Sequence, residues 1–190
     1  MLHHCKIAID KCRDFSGRDD LIARSIDMIL ATTDATNTTT APAVTTDATS
    51  TTTTTMNDYK ISLCLIGNSG SGKTALMSKL AQVIRVKVTS IPTIIRFCGT
   101  SGDSMSGLAL IKSISKQMEV VYQLKEVVVS DDYEKAVAYF HSLLASYPVM
   151  LFIDSLDQLN DTNQGTTRIS FLNPYTLLTL TLTLNLNLLA

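Results

Sequence analysis

The sequence lacks an excess of charge of either sign: its 190 residues carry a formal net charge of −1. Long-range attraction to nucleic acid or to anionic lipid needs clustered positive charge. No run of lysine and arginine occurs in this chain. The charge pattern therefore predicts no nucleic-acid partner and no membrane partner.

The first ten residues lack the apolar run of a signal peptide, because polar side chains interrupt them at His3, His4, Lys6 and Asp10. The four cysteines also lack a CxxC pair, and with His3 and His4 they match no common zinc spacing. These absences predict a reducing, cytoplasmic location and no structural metal. Two of the cysteines lie in apolar runs and should be buried: Cys64 and Cys98.

Two segments have little variety of residue types. Residues 32–55 are mostly threonine and are predicted to form a disordered linker, because they offer almost nothing to bury. Residues 173–190 form a Leu/Thr tail, whose threonine and asparagine argue against a membrane span. The remaining chain divides into an N-terminal helical segment, residues 1–31, and a partial core domain, residues 56–172.

The chain outside the two low-variety segments has the alternating strands and helices of an α/β protein. Short apolar runs predict buried strands at residues 60–66, 93–98 and 149–154. Apolar residues at helical spacing predict helices at 18–30, 74–86 and 104–122, the last with Val121 on its buried face. Asp131 and Glu134 predict a capped start for one more helix, which ends before Pro148. We therefore expect a three-layer α/β sandwich with a mainly parallel sheet, incomplete in this chain and interrupted by the linker.

The strongest motif follows the first predicted strand and matches G-x-x-x-x-G-K-[ST]: Gly67, Asn68, Ser69, Gly70, Ser71, Gly72, Lys73 and Thr74. Glycines let the backbone curl so that its N–H groups face a phosphate, and the following helix adds the positive end of its dipole. Lys73 would neutralise the β- and γ-phosphates, and the Thr74 hydroxyl would bind Mg²⁺. The motif predicts a P-loop nucleotide site.

An acidic residue at the end of a buried strand would complete such a site. Asp154 follows five apolar residues and would lie at the carboxyl edge of the sheet, where it could hold the magnesium ion. A helix cap is the alternative role for this residue. Asp157 would polarise an attacking water or, alternatively, would be a solvated helix residue.

ATP is the expected nucleotide. GTPases usually carry D-x-x-G after their metal-binding aspartate, whereas this chain has Asp154-Ser155-Leu156-Asp157 and no N-K-x-D sequence.

Four stretches resemble the NACHT-type NTPases of the STAND group, in particular the NACHT and WD-repeat proteins. They are FSGRDDL from Phe15, GNSGSGKTALMSKLA from Gly67, PTIIRFCGTSGDS from Pro92 and LFIDSLDQLND from Leu151. The last carries the NACHT form of the metal-aspartate strand, with a small residue after Asp154 and an acid three places beyond it. The resemblance implies a nucleotide-controlled signalling or assembly switch, with Gly17 and Arg18 close to the adenine.

That resemblance also implies protein partners in a longer form and nucleotide-dependent self-association. It stops near Leu172, and no strand with a γ-phosphate sensor is recognisable, so we expect a weak ATPase and residues 172–190 not docked as a central strand. Two alternatives share the P-loop: a small-molecule or nucleotide kinase, and a nucleotide-binding scaffold without catalysis.

Overall fold

The computed structural model describes residues 2–13, 15–34, 65–125 and 127–160. Within these ranges five helices and two strands follow one another: α1 Leu2–Arg13, α2 Asp19–Asp34, α3 Lys73–Lys87, β1 Thr93–Phe97, α4 Gly107–Val121, α5 Tyr133–Ser146 and β2 Met150–Asp154. Short 3-10 turns lie at Asp103–Met105 and Leu156–Gln158. The predicted α/β class is confirmed.

The two strands pair in parallel, from Thr93 opposite Met150 to Phe97 opposite Asp154. A parallel pair needs a crossover connection, which α4 and α5 supply between the strands. Alternate side chains then point to opposite faces, and each face packs on its own helices. Phe97, Met150 and Phe152 join the core of α2 and α3, while Ile94, Cys98 and Leu151 join that of α4 and α5.

The apolar faces predicted for the helices at 18–30 and 74–86 are confirmed. Four apolar residues of α2 are at most 8% exposed, namely Leu21, Ile22, Ile26 and Ile29. In α3 the buried residues include Leu76, Leu80 and Ile84, while Val83 is partly buried against them. Helix α1 adds a narrower stripe, in which Ile7 and Ala8 pack on the same core.

Helix α1 is also attached to the sheet through a histidine. The backbone N–H of Phe97 donates to Nδ1 of His4 at 3.2 Å, and the two rings stack with centroids 6.2 Å apart. Burial, together with the nearby Arg96 charge, lowers the pKa of His4 to about 4. The imidazole is therefore neutral near pH 7, as an acceptor nitrogen requires. This hydrogen bond satisfies a backbone donor of β1 and holds α1 across the end of that strand.

Three details of the predicted α4 and α5 are wrong. Helix α4 begins later than residue 104, because the Ser106 side chain caps it by accepting from the N–H of Ala109. Val121, placed on its buried face, is 43% exposed at the last turn. Asp131 does not cap α5; Asp132 does, accepting from the N–H of Lys135 at 3.1 Å, whereas Asp131 pairs with Lys112.

Some predictions lie outside the described residues. The strand at 60–66 is described only from Leu65, and neither the tail 173–190 nor Cys64 is described. Helix α2 runs to Asp34, three residues into the predicted linker, and the rest of that linker is not described. Cys98 is buried, as predicted. Of the helices that the structure describes, none combines the length and apolar character needed to cross a bilayer.

The helix cap gives a stability test. Asp132→Ala should lower the free energy of unfolding by about 1 kcal/mol, because an N–H in the first turn of α5 loses its acceptor. Asp132→Asn keeps the cap and should match the wild type, and Asp131→Ala should cost less than Asp132→Ala. Urea unfolding of the three variants checks this; an equal loss for Asp131→Ala would restore the sequence-based cap.

Candidate nucleotide-binding site

The loop between residue 66 and α3 depends on two glycines. Gly70 and Gly72 have φ of +76° and +83°, a region that other residues enter only with strain. A Cβ built at either glycine would meet nothing within 4 Å. The glycines therefore serve the backbone conformation, and the space beside them is open.

The P-loop lysine is held by the start of the same loop. Its ammonium donates to the carbonyl oxygens of Gly67 at 2.7 Å and Asn68 at 2.8 Å. Asn68 also accepts from the N–H of Ser71, which closes the turn. Because a lysine ammonium has three donors, Lys73 keeps one for a further acceptor.

The two predicted magnesium ligands touch each other although 80 positions separate them in sequence. The Thr74 hydroxyl donates to Oδ2 of Asp154 at 2.7 Å, and the Ser155 hydroxyl donates to the same oxygen at 3.2 Å. With its hydrogen directed at Asp154, the threonine oxygen keeps its lone pairs for a cation. Hydroxyl and carboxylate oxygens are the ligand types that Mg²⁺ prefers.

A cavity of about 760 Å³ opens between the loop and the end of β2. Its wall includes the P-loop residues and the residues that follow β2, Asp154 and Asp157 among them. The hydroxyl oxygen of Ser71 is buried there without a hydrogen-bond partner, and α3 starts without a side-chain cap. Unpaired donors at a helix start suit an anion, so the residues present fit a nucleotide phosphate.

The far wall of the cavity is a 3-10 turn at Leu156–Gln158 that the preceding strands position. Gly99, at φ +71°, approaches it so closely that a Cβ there would lie 2.8 Å from Cβ of Gln158. Gln158 in turn donates to Asp157 at 2.9 Å. Burial, with the charges of Asp154 and Asp157, raises the pKa of Cys98 to about 12, so this thiol stays protonated beside the acidic edge.

A second cavity, of about 470 Å³, adjoins the first at Gly70–Gly72 and Ala75. Its other wall comes from the end of α1 and the turn before α2, including Phe15, Ser16 and Arg18. Arg18 has φ +58° and follows Gly17 at φ +80°, so this turn is left-handed at two successive residues. The turn therefore places Arg18 beside the P-loop although the threonine-rich segment separates them in sequence.

The predicted site residues are thus distributed as follows. The first cavity brings together most of the P-loop residues, Asp154 and Asp157; the second receives Arg18, and Asn68 lines neither. Sequence reasoning missed Lys11 and Phe15, whose approach to the loop depends on how α1 docks. Among the described residues, no group of three His, Cys, Asp or Glu side chains could hold a metal ion by itself.

The model of the ATPase family associated with various cellular activities (AAA) matches residues 63–174, more than half of the chain. The chain belongs to the AAA family. Comparison with curated proteins and with solved structures gives no significant match. Members of the AAA family are P-loop ATPases that bind ATP with Mg²⁺ and often oligomerise. The AAA match supports a nucleotide-binding ATPase domain and leaves the narrower NACHT resemblance a prediction.

The loop conformation can be tested without a nucleotide. Gly72→Ala should lower the free energy of unfolding by roughly 1–2 kcal/mol relative to Gly102→Ala, because only Gly72 has a positive φ. Both substitutions restrict the unfolded chain alike, so the difference isolates strain in the folded loop. Urea unfolding of the two variants measures it; equal stabilities would show that the loop does not need the left-handed residue.

Proposed function

We propose that this AAA-family chain binds Mg-ATP at the P-loop and acts as a regulatory switch of the NACHT type. The observation that carries the proposal is the hydrogen bond between Thr74 and Asp154, which joins the two magnesium-ligand types at the mouth of an anion-binding loop. Bound Mg²⁺ would neutralise charge on the phosphates and help to orient them. Lys73, Ser71 and the first N–H groups of α3 would hold the phosphates.

The second cavity offers a binding position for the nucleoside. It continues from the P-loop, and Phe15 offers an aromatic side chain while Arg18 offers guanidinium donors. A nucleotide placed along both cavities would have its phosphates at Lys73 and its base near the turn before α2. This agrees with the adenine contact that the NACHT resemblance implies for Arg18, whereas Gly17 lines neither cavity.

Asp157 is proposed to position the attacking water. Its carboxylate lines the same cavity as Asp154 but is exposed, and Gln158 holds it. Exposure leaves room for water beside the carboxylate, which a general base requires.

A small-molecule kinase is the second candidate, and Arg96 argues against it. Such kinases close an arginine-rich lid over the phosphates, yet Arg96 is only 2% exposed. Its guanidinium is bonded to the Ser113 hydroxyl and carbonyl and to the carbonyl of Ile95. Neither Arg96 nor Arg85 lines either cavity, and Arg168 lies outside the described residues. Of the arginines that follow the P-loop in sequence, the two that the structure describes therefore contribute nothing to a lid over the cavities.

The remaining parts of the proposal concern the setting of the domain. We propose that residues 56–172 form the NTPase core, that a longer form carries the modules that recognise protein partners, and that the protein acts in the cytoplasm. Oligomerisation is common in the AAA family, which supports nucleotide-dependent self-association. Without a recognisable γ-phosphate sensor, hydrolysis by this chain would be slow.

Lys73→Ala should weaken Mg-ATP binding by at least about 100-fold, since a charged donor to the phosphates is lost. Lys87→Ala, in the last turn of the same helix and away from both cavities, should bind as the wild type does. Isothermal titration with Mg-ATP measures both. An unchanged dissociation constant for Lys73→Ala would remove the P-loop from the proposal.

Asp154→Asn and Thr74→Ala should weaken ATP binding about tenfold in Mg²⁺ and much less in EDTA, because both act on the metal. Asp157→Asn removes the same charge three residues away and should leave binding intact while slowing phosphate release. Titrations with and without EDTA, and phosphate release over time, separate these roles. Equal losses in EDTA would contradict metal binding, and transfer of the γ-phosphate to an added nucleoside monophosphate would favour the kinase.

A further inference from the structure

Helix α1 brings a lysine to the place where the two cavities meet. Both cavities share the residues Gly70, Ser71, Gly72 and Ala75 of the loop and α3. Among the residues that the structure describes, the one other that lines both is Lys11, in the last turn of α1. A residue shared by both cavities lies beside the path that joins them.

The ammonium group of Lys11 is available for a ligand. No hydrogen bond or ion pair among the described residues engages it, and its side chain is exposed. The nearest acid in sequence, Asp10, also lines the second cavity but is paired with Arg13 at 3.5 Å. Lys73, by contrast, already directs two of its three donors at loop carbonyls.

We propose that Lys11 binds the phosphates of the nucleotide from α1, at the end nearest the nucleoside, opposite Lys73. This inference rests on the proposed Mg-ATP binding and adds a phosphate ligand from outside the P-loop. The position follows from the cavities: Lys73 and Thr74 line only the first, Arg18 only the second, and Lys11 lies at their junction. Lys11 therefore contacts the α- or β-phosphate, which ATP and ADP share.

The contact also makes the docking of α1 sensitive to nucleotide. Among the described residues α1 contributes no fully buried side chain, and Ile7, Ala8 and the His4–Phe97 hydrogen bond hold it against the core. A helix without a fully buried side chain should open at a lower free-energy cost than the buried elements of the core. A phosphate bridging Lys11 and the P-loop adds an attachment at its other end, so nucleotide should suppress this opening.

An ordinary role for Lys11 would be to complement the helix dipole at the end of α1. That role acts with or without nucleotide, whereas a phosphate contact acts only with nucleotide. The two are separated by comparing free and bound protein, and Lys6 provides the control because it is exposed on the same helix and lines neither cavity.

The test measures dissociation constants for Mg-ATP and Mg-ADP with the full chain and its Lys11→Ala, Lys11→Arg and Lys6→Ala variants. Lys11→Ala should lose about 5- to 20-fold in affinity for both nucleotides. Lys11→Arg should lose less than about threefold, and Lys6→Ala should not change. Without nucleotide all variants should melt within about 2 °C of the wild type. Hydrogen exchange should show Mg-ATP protecting residues 4–13 in the wild type but not in Lys11→Ala.

Each other outcome overturns the inference. Unchanged affinity in Lys11→Ala excludes a phosphate contact, and a loss for ATP alone places Lys11 at the γ-phosphate and not at the junction. A lowered melting temperature without nucleotide, with equal α1 protection in both proteins, would leave only the dipole role. If the wild type itself binds neither nucleotide, the proposed function fails together with this inference, whereas wild-type binding with unchanged Lys11→Ala affinity removes the inference alone.

Discussion

The hydrogen bond from Thr74 to Asp154 is the contact on which the site depends. It joins the first turn of α3 to the end of β2, two elements that are far apart in sequence. A charge-assisted bond of this kind is short and directional, so it fixes the distance between the loop and the sheet edge. The cavity opens beside this contact, between the P-loop and the end of β2.

The alternation of side chains along the strands determines the rest of the site geometry. Phe152 points to the α3 side and Leu151 to the α4–α5 side, and both are buried, so a slip of β2 by one residue would exchange the side chains that pack into the two cores. The parallel register with β1 then aligns Phe97 with Asp154, which brings Gly99 and the turn after β2 together. The packing and pairing of the two strands therefore set where Asp157 lies.

Sequence patterns correctly predicted the features of this protein that depend on residues close together in the chain. The buried stripe of α2 follows from helical periodicity, and the left-handed Gly72 follows from the P-loop motif. Asp131 and Asp132 are adjacent acids that could each cap α5, so only the tertiary pairing of Asp131 with Lys112 distinguishes them. The site role of Lys11 had no local signal, because it depends on α1 docking against a loop almost 60 residues away.

The arrangement of the cavities explains why nucleotide could act as a switch in so small a unit. Their walls come from three stretches distant in sequence: the end of α1 with the turn after it, the P-loop with α3, and the end of β2. A ligand that contacts all three stabilises their association. The free energy of this stabilisation grows with the logarithm of the ligand concentration divided by the dissociation constant. The α1 segment has the least buried attachment of the three, so its docking should respond to that energy first. Since α1 also covers the N–H of Phe97, its release would expose a backbone donor of β1. Occupancy of the cavity would thus control how much of the N-terminal face is available to a partner.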